Sequence, residues 1–186
     1  MKAIFSELAK SLKELESDTQ LQLRIESAIN VISNSLRDGL PVLVFGNGGS
    51  AMDALHISGE LVGKFNKERK AQNVICLNAN LAVLTAWSND VNYESVFSRQ
   101  LEAYSKPGGI AWGISTSGNS PSVVNALKVS KNLGMTNITM TGKSGGECSN
   151  YSDILLNVPS DITPRIQELH LPIYHYICME IEKTLT

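Results

Sequence analysis

The sequence predicts an α/β domain: a doubly wound, flavodoxin-like, five-stranded parallel sheet covered by helices on both faces and preceded by a helical pair over residues 1–38. Three observations carry this reading. Short apolar runs recur at Val42–Phe45, Val74–Leu77, Ile110–Ile114, Asn137–Met140 and Ile154–Val158. Helical stretches separate them, which calls for parallel pairing with crossovers on both faces. At 186 residues the chain suits one domain with a sizeable core, spanning 1–186, and no repeat, low-complexity tract or linker divides it.

Taken in order, Ile4, Phe5, Leu8, Leu12 and Leu15 share one helical face. After a break near Ser17 and Asp18, so do Leu21, Ile25, Ala28, Ile29, Ile32 and Leu36, until Asp38 and Gly39 end the second helix. The first strand runs into Gly46-Asn47-Gly48-Gly49-Ser50, and a helix follows from near Ala51. The third strand runs into a serine-rich turn, after which Val123, Val124 and Leu127 begin a helical repeat. There Ser120 suits the N-cap and Pro121 the first helical position, where a missing N–H would have had no partner. Arg165–Leu185 forms the last helix.

Sixteen basic and eighteen acidic residues give a net charge of -2. That balance supplies no general field for nucleic acid or anionic lipid, so any anion is bound locally. The opening MKAIFSELAKSLKELES scatters charges every few residues and makes neither a secretory signal nor a membrane span, which points to the cytoplasm. Cys76, Cys148 and Cys178 form no C-x-x-C pair and fit a reducing compartment, as packing residues.

The stretch GISTSGNSP, residues 113–121, sits on a strand-to-helix turn and contains no charged side chain. Backbone N–H groups and hydroxyls at the positive end of a helix dipole suit an anion. Without the lysine of a P-loop, the site suits one phosphate monoester more than a triphosphate with magnesium. In a doubly wound sheet, ligands bind beyond the carboxyl ends of the strands near the reversal of strand order, and adjacent strands would bring the glycine and serine loops around one crevice. Gly46, Gly48 and Ala51 also satisfy the dinucleotide pattern G-x-G-x-x-A. The ribose-binding acid that should end the second strand is missing, because Leu77-Asn78-Ala79-Asn80 offers only amides.

His56 and Glu60 are four residues apart on the helix leaving the glycine loop and share a face. Such a pair can chelate a metal or simply be an exposed contact. The segment from Arg165 to His175 holds two of the three histidines and is equally open on its own.

Together GNGGSA, HISGE, Ser88-Asn89-Asp90, GISTSGNSPSVVNAL, TGKSGGE and RIQELH resemble the sugar isomerase (SIS) domain family and, within it, the sedoheptulose 7-phosphate (phosphoheptose) isomerases, over nearly the full chain. The resemblance implies a phosphosugar site in which Asn47, Gly48, Gly49, Asn89 and Asp90 meet the sugar while Ser115, Thr116, Ser117 and Ser120 take the phosphate. It also implies zinc held by His56, Glu60, Gln167 and His175, with Gln167 within reach of substrate, and a homotetramer with active sites near subunit boundaries. Gln167 and His175 lie about 12 Å apart along an ideal helix, so their side chains must converge, and Pro172 between them tends to kink the axis.

The implied activity interconverts sedoheptulose 7-phosphate and D-glycero-D-manno-heptose 7-phosphate through an enediol, the first step toward nucleotide-activated heptose for lipopolysaccharide or another surface glycan. Glu60 would carry the proton between C1 and C2 and His175 the oxygen proton. His170 is expected in a structural hydrogen bond, Arg165 and Glu168 in an ion pair, and Lys143 on the surface. The alternative is a non-catalytic SIS protein that binds a phosphosugar or a regulatory partner such as a replication initiator.

Overall fold

The computed structural model describes residues 1–186. Two helices, α1 (Lys2–Ser17) and α2 (Thr19–Arg37), precede β1 (Val42–Gly46), α3 (Gly49–Val62) and β2 (Val74–Cys76). Then follow α4 (Leu81–Asp90), α5 (Val96–Tyr104), β3 (Ile110–Ser115), α6 (Pro121–Asn132), β4 (Thr136–Thr141), β5 (Ile154–Asn157) and α7 (Thr163–Leu185). All neighbouring strands pair in parallel, in the order β2-β1-β3-β4-β5. The five expected strands are therefore present, as is the helical pair, whose second member is capped by Asp18 accepting from the Leu21 N–H at 2.9 Å.

The two-residue period of a strand sorts side chains between the two faces. Val42, Val44, Trp112, Ile114, Ile138, Met140, Ile154 and Leu156 join α2, α3 and α7 in the larger core, while Leu43, Phe45 and Ala111 join α5 and α6 in the smaller one. Asn137 and Thr139 also point to the α6 side, where each is fully buried and hydrogen-bonded: Asn137 Nδ2 donates to the Leu127 and Tyr151 carbonyls at 2.8 Å, and Thr139 meets Ser152 at 2.6 Å. These pairings meet the cost of burying polar atoms.

The cysteines are buried and free, and burial pushes the Cys148 and Cys178 thiols up to about 12, so both act as packing groups at neutral pH. No helix is long and apolar enough to cross a membrane.

The register of β1 with β3 fixes the place of the site. Gly46 lies opposite Ile114 at the carboxyl ends of adjacent strands, where the chain order reverses. The amides that replace a ribose-binding acid have structural work. Asn78 pairs with Gly46 on both sides, accepting its N–H at 3.2 Å and donating to its carbonyl at 2.8 Å, and Asn80 caps α4 by accepting from Val83.

Candidate active site

Three helices begin around one cavity of about 260 Å³ at this edge. Gly49 opens α3, Ser120 precedes α6, and Thr163 opens α7; all three line it. Each helix start leaves backbone N–H groups without intrahelical acceptors and carries the positive end of a dipole. Asn47, Gly48, Ser50, Ser115, Thr116 and Gln167 complete the polar wall, to which no charged side chain contributes. Uncharged donors converging from three helix starts fit a single oxyanion. Thr163 and Ser50 were not singled out by the sequence reading. Their signal is the same as that of Ser120: a hydroxyl residue at the beginning of a helix that leaves a strand end.

The loop is built to hold this shape. Gly48 takes φ 56°, the left-handed region in which a side chain is strained. A Cβ at Gly49 would collide with the Gln167 amide and force that side chain to move. Asn47 donates from Nδ2 to Ser122 Oγ at 2.9 Å, and its Oδ1 accepts from the Tyr93 hydroxyl, so its side chain ties α6 to the segment after α4.

Three expectations are refined. Ser120 occupies the N-cap position of α6 as predicted, but its hydroxyl makes no capping bond; Ser115 Oγ donates to it at 3.2 Å instead, and Val123 and Val124 N–H bond to its carbonyl. Its side chain is thereby kept at the cavity. Ser117 turns outward: it is exposed, and its Oγ accepts from the Asn119 N–H at 3.1 Å within the turn that Gly118 makes at φ 67°. Asn89 and Asp90 end α4 as an exposed pair, with Asn89 Nδ2 donating to Asp90 Oδ1 at 2.8 Å, and neither lines the cavity.

A second cluster lies along α3 and α7. His56 Nε2 stands 3.0 Å from Glu60 Oε1 and 3.5 Å from His175 Nε2. One ligand atom from each of the three lies within 4.8 Å of the others. Two nitrogens bound to one tetrahedral zinc at ordinary bond lengths are about 3.3 Å apart, so the donor types and their spacing fit such an ion.

Burial and then the neighbouring His56 hold His175 below the ordinary imidazole range, with Glu60 pulling the other way, which leaves it neutral at pH 7. Phe65 stands edge-on to it, ring centroids 5.8 Å apart. Behind His56, the Tyr174 hydroxyl lies 3.0 Å from Nδ1, and Asp53 lies beside that hydroxyl. Burial pushes the Asp53 carboxyl up to about 6, against the lowering effects of Tyr174 and His56. Neither residue was anticipated, although Asp53 stands three before His56 on the same face and Tyr174 directly precedes His175.

The loop after α3 is clamped to α7. Glu182, 2% exposed, accepts backbone N–H bonds from Phe65, Asn66 and Lys67 at 2.7–3.0 Å, with Arg69 Nε at 3.4 Å. Arg69 also donates to the Glu60 and Leu61 carbonyls at 2.8 Å, closing the end of α3. The other polar groups of α7 are structural as expected. His170, fully buried, bonds through Nε2 to the Thr141 carbonyl at 3.1 Å, and Arg165 pairs with Glu168 at 2.6 Å.

Comparison with known proteins places the chain among sugar-phosphate proteins. A family model described as SIS domain matches residues 5–142. The chain is 47% identical to a phosphoheptose isomerase of Crocosphaera subtropica, covering 87% of this chain and 82% of that protein. It is 46% identical to a probable phosphoheptose isomerase of Thermoplasma acidophilum, over 94% and 98%. The solved structure of phosphoheptose isomerase from Neisseria gonorrhoeae superposes with a TM-score of 0.90 at 34% identity, over 98% of this chain and 96% of that one.

Proposed function

Since the chain belongs to the SIS domain family, we propose that it is a phosphoheptose isomerase, interconverting sedoheptulose 7-phosphate and D-glycero-D-manno-heptose 7-phosphate through an enediol. The observation that carries this reading is the joining of two sites by two helices. Gly49 and Gln167 are in contact at the cavity, while His56 and His175 meet seven and eight residues further along the same helices, on the order of 10 Å away. A sugar with its phosphate on the seventh carbon and its carbonyl at the other end has the length to reach from one to the other.

Ser115, Thr116 and Ser120, with the helix starts around them, hold the phosphate, and Asn47, Gly48 and Gly49 border the sugar. Ser117 would have to turn inward to add a bond, and Asn89 and Asp90 would meet sugar hydroxyls at the rim. Glu60 takes the proton from C1 of the ketose and returns it to C2. His175, neutral at pH 7, moves the proton between the two oxygens. His56 faces Oε1 of Glu60, which leaves Oε2 for the carbon-bound proton. The donor set His56, Glu60 and His175 suits zinc, which would supply Lewis acidity toward the developing oxyanion; Gln167 stands at the cavity wall and would have to turn toward the histidines to add a fourth bond. The exposed apolar residues Ile4, Phe5 and Leu12 of α1 and Leu171 and Tyr176 of α7 support a homotetramer, and three buried free thiols suit the cytoplasm.

The test is direct. Incubated with sedoheptulose 7-phosphate, the purified protein should yield the seven-carbon aldose phosphate, read by NMR. A protein that binds the sugar phosphate without converting it would overturn the reading in favour of a non-catalytic SIS module.

A further inference from the structure

His56 has two ring nitrogens with different neighbours. Nε2 faces Glu60 Oε1 and His175 Nε2, whereas Nδ1 lies 3.0 Å from the Tyr174 hydroxyl. An imidazole binds a cation through an unprotonated nitrogen, so with Nε2 committed to the ion the proton sits on Nδ1 and needs an acceptor. The Tyr174 oxygen is in place to accept it. Its own hydrogen then needs an acceptor in turn, and the carboxyl of Asp53 lies beside it, with a buried Oδ2 that has no hydrogen-bond partner and is free to accept. Asp53 and His56 are one turn apart on α3, and Tyr174 and His175 are adjacent on α7.

Tyr174 is 1% exposed, and its ring meets that of His56 edge-on at 5.4 Å and 71°. The packing leaves the hydroxyl little freedom to move away from Nδ1. His56 itself is substantially exposed, so the ring would otherwise be free to turn or to present either nitrogen.

We propose that Tyr174 is a positioning residue for the metal centre: its hydroxyl, backed by Asp53, fixes the orientation of His56 so that Nε2 is presented alongside His175 Nε2 and Glu60 Oε1. This rests on the metal reading given above and assigns a role to a side chain that touches neither ion nor sugar.

The test uses zinc itself and the Tyr174→Phe variant, which keeps the packed ring and removes one oxygen. Zinc affinity is measured by competition with a chromophoric chelator, and inorganic phosphate affinity by calorimetry. The unaltered chain should bind one zinc per subunit, and the variant should bind it about tenfold or more weakly with phosphate affinity unchanged. Asp53→Asn gives a second arm, in which zinc affinity falls by a smaller factor; if the Tyr174 variant does not fold, this arm decides alone. Zinc affinity within twofold of the unaltered chain in the folded variants overturns the proposal, as does an equal loss of phosphate binding, which marks a general structural role. If the unaltered chain binds no zinc, the metal reading itself falls and the proposal with it.

Discussion

The Nε2 atoms of His56 and His175 stand 3.5 Å apart, although 119 residues separate them in the chain. Two imidazoles this close cannot both direct an N–H at the other, and the carboxylate of Glu60 at 3.0 Å from the first adds negative charge at the same point. The cluster is therefore arranged for a cation or for a shared proton.

Metal linkage follows. A ligand that binds only the folded state stabilises it by about 2.7 kcal/mol at a hundred times its dissociation constant. Adding zinc to chelator-treated protein should raise the unfolding temperature, and His175→Ala should abolish the rise while leaving the metal-free transition nearly unchanged, since His175 is partly exposed. Differential scanning fluorimetry with zinc and with chelator reads both.

In the cavity, Ser120 receives the Ser115 hydroxyl and lines the wall proposed to hold the phosphate. Hydrogen bonds to a charged group contribute about 1.5–3 kcal/mol. Ser120→Ala should raise KM for the sugar phosphate by about 10- to 100-fold and lower kcat much less. Steady-state kinetics would separate this from damage to the proton-transfer groups, which would lower kcat.

Glu182 holds the loop that carries Phe65 against His175. Burial works to raise its pKa, but three backbone N–H bonds and Arg69 hold it below the ordinary carboxylate range. Its contribution is thus present at neutral pH and is lost as pH falls through that lowered value. Glu182→Gln sets an amide N–H against backbone donors and should cost about 2–4 kcal/mol in urea unfolding at pH 7. Activity should also fall, as Phe65 loses its fixed place.

His170 gives a pH dependence of its own. Burial lowers its pKa to about 4, opposed by its bond to the Thr141 carbonyl. The folded state keeps it neutral while the unfolded chain takes up a proton below about 6.5. Stability therefore declines from pH 6.5 toward 4, by about 3 kcal/mol in all, and flattens below. Asp53, raised to about 6, works in the opposite direction over the same window, because the folded state binds its proton more readily. Urea unfolding from pH 7 to 4.5 should accordingly show a more acid-resistant His170→Gln variant, in comparison with the unaltered chain.

Much of this was legible in the residues themselves. Near-continuous apolar runs located the strands because a parallel strand buries both faces, and each observed strand end lies within one or two residues of the run. The glycine and serine loops were legible because a strand-to-helix turn at the sheet edge admits few residue types. What escaped notice is what only packing decides. Tyr174 reaches His56 across 118 residues, and Glu182 reaches Phe65 across 117. No local period reports such contacts. Ser117 illustrates the other limit: within STSGNS the hydroxyls are alike in composition, but the positive φ of Gly118 folds one of them back on the Asn119 amide.

On the proposed reading, Glu60 moves a proton between C1 and C2 of a sugar whose phosphate, at the far end on C7, is held by uncharged groups. Exchange in deuterium oxide tests it most directly. With sedoheptulose 7-phosphate, the unaltered protein should incorporate deuterium at C1 of the ketose and C2 of the aldose, and Glu60→Gln should bind the sugar phosphate without exchange. Exchange that persists at an undiminished rate in Glu60→Gln would contradict the account.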